Sequence, residues 1–169
     1  GKTAVDWSVL DFDANSYFQK YVKELNKLYN SNSTLNSADK HQDIAFVQDG
    51  QVMSFVRHGE KDSDNLYIVC NFGLKDVRNF KLSVEKQGKY KEIFNSDAEK
   101  FGGSGKVNPR MKSSKVEECD GKENSITIQL APLGISVFSC TPTEPEKKEK
   151  PAKTKKTTHS TKSVKEKAE

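Results

Sequence analysis

The residues that could do chemistry gather at one glycine-rich segment in the middle of the chain. Residues 95–105 read NSDAEKFGGSG and place Asp97 and Glu99 just before three glycines. Two carboxylates on such a segment can bind a sugar hydroxyl or a cation, and they can equally cap the turn that these residue types favour. We predict a long structured loop between two strands, with turn capping and solvation as the roles of the two carboxylates.

Residues 103–106 read GSGK, which is similar to part of a phosphate-binding loop. That motif needs a glycine five positions before its second glycine and a serine or threonine after its lysine. Lys100 and Val107 occupy these two positions. The sequence therefore predicts a turn here and not a nucleotide site.

No other residues have the spacing of a catalytic or metal site. The three histidines, His41, His58 and His159, lie far apart and away from the cysteines, which favours surface histidines over a metal centre. The carboxylates match no acid/base signature. We therefore expect no catalytic residue, no metal and no cofactor in this chain.

The cysteines indicate the compartment. Three are present, and none forms a Cys-x-x-Cys pair: Cys70, Cys119 and Cys140. This pattern indicates reduced thiols in a cytoplasmic protein and not a disulfide framework. No apolar run approaches the roughly 20 residues needed to cross a bilayer, so we expect no membrane contact. Because the chain begins at Gly1 and not at Met, we expect it to be a piece of a longer protein.

A few aromatic residues are candidates for substrate binding, because exposed rings can stack on sugars. Our predicted substrate-binding residues are Trp7, the only tryptophan, together with Phe46 and Phe101. The alternative for all three is packing in the core or at a domain interface.

Charge divides the chain into a neutral body and a basic tail. Residues 142–169 hold nine Lys and five Glu, whereas residues 1–141 hold equal numbers of basic and acidic side chains. The tail has almost no apolar residues, so we expect it to be disordered. A Lys-rich tail can bind nucleic acid by counterion release, but this one has no aromatic ring for base stacking. We expect a solvated tail and no nucleic-acid partner.

One helix and a series of strands must position these residues. Apolar side chains at i, i+3, i+4 and i+7 spacing predict an amphipathic helix over residues 14–30, with Asn15 or Ser16 as its N-cap. Its apolar stripe consists of Phe18, Tyr21, Val22, Leu25, Leu28 and Tyr29. Since a single helix cannot bury its own stripe, a partner surface is required.

From residue 44 onward the apolar period becomes about 2, which predicts strands. Residues 44–47 and 52–57 form a predicted hairpin, and residues 65–72 form a predicted central strand covered on both faces. The remaining predicted strands lie at 80–84, 90–94, 126–130 and 133–140, with at most one edge strand in 106–123. Seven or eight short strands predict a mainly β protein, an antiparallel β-sandwich preceded by one amphipathic α-helix.

Six segments carry distinctive motifs: DWSVL at 6–10, YVKELNKLY at 21–29, VMSFVR at 52–57, IVCNF at 68–72, NSDAEKFGGSG at 95–105 and SITIQLAPL at 125–133. In this order they resemble the C-terminal part of the 1,4-α-glucan (glycogen) branching enzymes of the α-amylase superfamily. The chain has Phe101 where that family usually has Tyr, and Phe46 where it usually has Trp. The family's PLHGR-like stretch is not visible in residues 106–123.

The resemblance implies three regions. Residues 1–35 would be the end of a catalytic barrel, including its last helix, residues 36–141 an α-amylase-type C-terminal β domain, and residues 142–169 the tail. It also implies a parent enzyme that transfers α-1,4-glucan segments to α-1,6 branches by a retaining double displacement. The catalytic carboxylates of that family lie upstream on the barrel, and no position here matches them. We expect an accessory domain that supports the barrel and contacts glycogen.

Two other functions stay open at this point. A self-standing carbohydrate-binding module would bind glycogen through Trp7 or Phe101. A nucleic-acid-binding protein would depend on the basic tail and would lose its binding on truncation at Thr141.

Overall fold

The N-terminal part of the molecule is helical. A computed structural model describes residues 4–37, 42–47 and 51–143 of the chain. A 3-10 helix at Trp7–Asp11 leads into helix α1 at Asp13–Asn30, and a short helix α2 follows at Ser33–Asn36. The predicted helix over residues 14–30 is confirmed.

The N-cap of α1 differs from the prediction. Phe12 occupies the cap position and provides no side-chain acceptor, so the predicted cap at Asn15 or Ser16 is wrong. Both of these residues lie inside the first turn. The side-chain amide of Asn15 donates instead to the Val9 carbonyl at 2.8 Å, which ties α1 to the preceding 3-10 helix.

The rest of the described chain is built from strands that pair only in antiparallel fashion. Within the described ranges there are nine: β1 Gln42–Val47, β2 Val52–Arg57, β3 Leu66–Asn71, β4 Val77–Val84, β5 Gly88–Asn95, β6 Lys112–Ser113, β7 Lys115–Cys119, β8 Lys122–Leu130 and β9 Gly134–Pro142. They form a large sheet of order β1-β2-β3-β9-β5-β6 and a small sheet of order β4-β8-β7. The predicted antiparallel β architecture with one preceding helix is confirmed.

The segment 106–123 holds more structure than the sequence analysis predicted. It contains two short strands, β6 and β7, in place of one edge strand at most. Strand β7 forms a hairpin with β8 through Asp120 and Gly121, whose φ angles of 50° and 75° are both positive. Asp-Gly with two positive φ angles is a common two-residue hairpin turn, so a local signal for this hairpin was present and missed.

The main core lies between the two sheets. Alternate residues of β3 point to opposite sides, so Tyr67 and Val69 pack against small-sheet residues such as Phe80 and Ile128. All six β3 residues are buried. This confirms the predicted central strand covered on both faces, although Phe72, the last residue of the predicted range, lies beyond β3 and is 60% exposed.

Helix α1 covers the other face of the large sheet. Tyr21 and Leu28 of α1 pack onto a second cluster that includes Leu66 and Ile68 of β3 and Phe94 of β5. The described part of the molecule therefore has three layers, in the order α1, large sheet and small sheet. Because α1 fills one outer layer, it is packed as part of the same unit as the β domain.

The dependence of the fold on the inter-sheet core can be tested at Phe138. Its side chain is fully buried in β9, and we expect Phe138→Ala to lower the free energy of unfolding by about 3–5 kcal/mol, because lost burial and a cavity both contribute. Urea denaturation measures the loss. Leu74→Ala is the control, since Leu74 is 82% exposed, and its effect should stay within about 0.5 kcal/mol. Similar small losses in both variants would contradict this assignment of the core.

Candidate functional site

The apolar stripe of α1 is divided between two surroundings. Tyr21 and Leu28 face the large sheet, because successive helical residues are rotated by about 100° and these two point to one side. The rest of the stripe is exposed: Phe18 by 67%, Val22 by 36%, Leu25 by 39% and Tyr29 by 51%. We call these four residues the outer face of α1. The sandwich thus covers only one edge of the predicted stripe.

The preceding 3-10 helix extends this apolar surface. Val9 and Leu10 line a groove of about 850 Å³ together with Phe18 and Val22 of the outer face. The nearby Phe12 is 68% exposed. Contiguous exposed apolar patches of this kind mark surfaces that bind another macromolecule or another part of the same chain.

Two of the three predicted substrate-binding residues lie on different structural elements. Trp7 begins the 3-10 helix and is 67% exposed. Phe46 lies in β1, with its backbone opposite Met53 of β2, and its side chain falls outside the described part. The predicted glucan contacts of Trp7 and Phe46 stay predictions.

The third predicted residue, Phe101, lies where the glycine-rich loop meets α1. Its ring packs edge-on against Tyr21, with 5.5 Å between ring centroids, and lies 5.8 Å from Phe94. Beside it, a groove of about 380 Å³ runs between α1 and the loop. Lys100 and Glu24 form an ion pair across this groove at 3.6 Å. Phe101 therefore has a packing role, and its predicted glucan contact stays a prediction.

Asp97 organises the glycine-rich loop. Its carboxylate accepts hydrogen bonds from the backbone N–H and hydroxyl of Ser104 and from the backbone N–H of Lys106, at 2.7–3.0 Å. At Gly103 an added Cβ would lie 2.3 Å from the Asp97 backbone, so only glycine fits there. The residues between β5 and β6 thus form the predicted structured loop, and Asp97 caps it.

Partial burial raises the pKa of the Asp97 carboxyl, but the hydrogen bonds from Ser104 and Lys106 outweigh this effect and hold the pKa below its ordinary value. The ionised carboxylate is therefore the form that the loop binds.

The described part of the chain offers no group of three or more metal-ligating side chains. Its three cysteines are free thiols. Burial raises the pKa of the Cys70 and Cys140 thiols, which makes both poor nucleophiles. None of the helices searched in the described residues is long and apolar enough to span a membrane.

Comparison with known proteins found a matching family model and similar curated proteins. A family model described as the alpha amylase C-terminal all-beta domain matches residues 46–141. The 1,4-alpha-glucan branching enzyme GlgB of Halothermothrix orenii is 36% identical over 143 residues, covering 81% of this chain and 22% of that protein. The enzyme of the same name from Bacillus cereus (strain G9842) is 34% identical over 139 residues, covering 79% of this chain and 21% of that protein.

A crystal structure of an alpha-amylase from H. orenii aligns with a TM-score of 0.45 and 16% identity, over 72% of this chain and 20% of that one. The chain spans about a fifth of the length of the curated relatives it matches.

The role of Asp97 as a loop cap can be tested by Asp97→Ala. We expect a loss of about 1–3 kcal/mol in the free energy of unfolding at neutral pH, because two backbone N–H groups lose their acceptor. Glu99→Ala is the matched control, since Glu99 is an exposed acid on the same loop, and it should change stability by no more than about 0.5 kcal/mol. Chemical denaturation measures both.

The stability lost in Asp97→Ala should also depend on pH. Because the folded-state pKa of Asp97 is lowered, its stabilisation is fully present above the unfolded-state pKa of about 3.9 and is lost as the pH falls through the folded-state value. The stability difference between the native chain and Asp97→Ala should therefore narrow below about pH 4. A difference that grows on acidification would contradict the capping role.

Proposed function

The chain belongs to the alpha-amylase C-terminal all-beta domain family, and from that premise we propose that it is the C-terminal accessory domain of a 1,4-alpha-glucan branching enzyme. The proposed parent enzyme transfers α-1,4-glucan segments to α-1,6 branches in glycogen biosynthesis, in the cytoplasm and without a cofactor. The relatives named branching enzymes support this proposal, since each matches most of this chain. So does the order of the six sequence motifs.

The observation that carries the proposal is the exposed outer face of α1. Phe18 and Val22 lie on a helix whose other side is already packed on the large sheet. Burying a fully exposed large apolar side chain contributes about 1.5–3 kcal/mol. The four outer-face residues are between 36% and 67% exposed, so a partner that covers all four gains roughly twice that amount. We propose that the partner is the catalytic barrel, encoded upstream in the same polypeptide.

The proposed boundaries rest on the resemblance of the sequence motifs. Residues 1–35 would complete the barrel domain, and residues 36–141 would form the β domain. The junction is well fixed, because the Thr34 hydroxyl donates to the Asp64 carbonyl at 2.8 Å and Arg57 Nε donates to the Thr34 carbonyl at 3.0 Å. Such contacts support a rigid mounting of the β domain on the last barrel helix. The predicted basic tail, 142–169, lies almost wholly outside the described residues.

Contact with glucan is the second part of the proposal. Trp7 offers an exposed ring for stacking on a sugar. The groove beside Phe101 has both an apolar wall, from Phe101 and Leu28, and polar groups such as Glu92, a combination that suits a sugar. These residues would hold a long glucan chain near the barrel and would not act on it.

The branching proposal is tested by comparing the 169-residue chain with the same chain extended upstream through the barrel. The first should show no branching of amylose in an iodine-absorbance assay, whereas the second should be active. In the extended chain, Phe18→Asp with Val22→Asp should reduce activity at least about tenfold, because an unpaired charge buried at an apolar interface costs several kcal/mol.

Lys20→Asp is the matched control in the extended chain, since Lys20 is exposed and lies on the opposite side of α1 from Phe18. Its activity should equal that of the native sequence. Turnover by the 169 residues alone would refute the accessory role, and full activity of the double variant would refute the interface.

The alternative of a self-standing carbohydrate-binding module is tested by affinity electrophoresis of the 169-residue chain in gels that contain glycogen. The accessory-domain proposal predicts weak retardation of the native chain and weaker retardation of Trp7→Ala, because the substitution removes the ring that stacks on the sugar. By analogy with other ring-stacking contacts, the binding free energy lost is roughly 1–3 kcal/mol. Leu74→Ala, which removes another exposed apolar side chain, is the control.

Strong retardation of the isolated chain at low glycogen concentration would favour the module. Retardation that Trp7→Ala and Leu74→Ala leave equally unchanged would remove Trp7 as a glucan contact.

A further inference from the structure

A third groove, of about 350 Å³, lies on the small sheet, at residues of β4 and β8 and of the loop before β6. Thr127 and Gln129 of β8 form its floor on the outward face of the small sheet, since they alternate with the buried Ile126 and Ile128. The loop that leads from residue 107 into β6 forms its wall. The outer face of α1 includes no part of this groove, and among the described residues Val107 is the one lining residue that it shares with the groove beside Phe101.

The groove is basic. Arg78, Arg110 and Lys112 line it, and no carboxylate does. Arg78 is exposed and pairs with Asp76 at 3.2 Å, but Asp76 also faces Lys106 at 4.0 Å, so one carboxylate is shared by two cations. Arg110 and Lys112 form no ion pair within the described ranges. Since residues 1–141 are neutral overall, this positive charge is local to the groove.

The wall is held rigidly by one buried amide. Asn108 is only 3% exposed, and its side chain both donates to the Gln129 carbonyl at 3.0 Å and accepts from the Gln129 N–H at 2.9 Å. It therefore pairs with β8 as a neighbouring strand would. The Asn108 backbone N–H donates to Glu92 Oε2 at 2.6 Å. Rigid walls reduce the entropy lost when a ligand binds.

The rim is shaped by an irregular strand. The pairing of β4 with β8 shifts register between Val77 and Phe80, and the intervening Asn79 has a φ of 57°. Left-handed backbone is uncommon outside glycine, and bulges often redirect side chains next to binding sites. Here the bulge lies at Arg78 and Asn79, two residues that line the groove.

We propose that this groove binds a sugar phosphate. Guanidinium and ammonium groups are the usual partners of phosphate oxygens, so the phosphate monoester would bind Arg110 and Lys112 at the rim. The Thr127 hydroxyl and the Asn79 amide, neither of which bonds to a partner in the described structure, would receive the sugar hydroxyls. The groove is formed by this chain alone, so its ligand can be tested whether or not the branching-enzyme proposal holds.

The ligand is tested by NMR titration of the 169-residue chain at low ionic strength with glucose 6-phosphate, inorganic phosphate and glucose. Glucose 6-phosphate should shift the amide signals of residues 78–79, 108–112 and 127–129 in a saturable way. It should bind at least about tenfold more tightly than either inorganic phosphate or glucose, because both halves of the ligand make contacts. Equal affinity for glucose 6-phosphate and inorganic phosphate would overturn the proposal. So would amide signals of the groove residues that do not shift when glucose 6-phosphate is added.

The site is tested by Arg110→Ala with Lys112→Ala. This double substitution should weaken glucose 6-phosphate binding at least about tenfold, since both charge-assisted contacts are lost. Lys20→Ala with Lys23→Ala is the matched control, because it removes the same charge from α1. An unchanged thermal midpoint shows that each variant is folded. An equal loss of glucose 6-phosphate affinity in the two double variants would indicate non-specific electrostatic attraction and would overturn the proposal.

A final experiment distinguishes two sources of the phosphate, a glucan chain and a free hexose phosphate. A maltooligosaccharide that carries one phosphate ester is compared with glucose 6-phosphate. Tighter binding of the oligosaccharide assigns the groove to phosphate esters on a glucan chain, and equal or weaker binding assigns it to a free hexose phosphate.

Discussion

Strand β3 carries apolar side chains on both of its faces, and neither face can be left in water without a large cost in free energy. The small sheet covers one face and α1 covers the other. This requirement explains why a helix that precedes the β domain in sequence is packed into it. It also explains why α1 is left with a second apolar surface, because the large sheet reaches only Tyr21, Leu28 and their neighbours. The proposed interface with an upstream domain begins where that coverage ends.

Polar side chains position the loops around this framework. Asp97 binds the glycine-rich loop, and Asn108 binds the wall of the basic groove to β8. Asn71, only 2% exposed, donates to the Lys75 and Ala131 carbonyls and so joins the loop after β3 to the turn before β9. In each case one side chain satisfies backbone groups that have no strand partner. The loops are therefore fixed by specific residues and not only by the sheets that they connect.

Local patterns in the sequence were sufficient for much of this fold. The helical period of residues 14–30 and the unbroken apolar run of β3 each identify an element and its buried faces. The division of the α1 stripe could not be predicted, because it depends on how far a sheet formed by later residues extends. The basic groove was missed for a similar reason, since Arg78, Lys112 and Thr127 are distant in sequence and meet only after the sheets form. For the candidate site, Trp7 and Phe101 could be named as aromatic candidates, but the packing of Phe101 against Tyr21 could not.

The central claim is that another part of the same polypeptide covers the outer face of α1. Carbene footprinting with mass spectrometry measures this directly in the 169-residue chain and in the chain extended upstream through the barrel. Val116, which is 76% exposed on β7 at the far side of the molecule, serves as the internal reference. The account predicts that Phe18 and Val22 are labelled heavily in the short chain and protected in the extended one, with Val116 labelled equally in both. Equal labelling of Phe18 and Val22 in the two chains would contradict it.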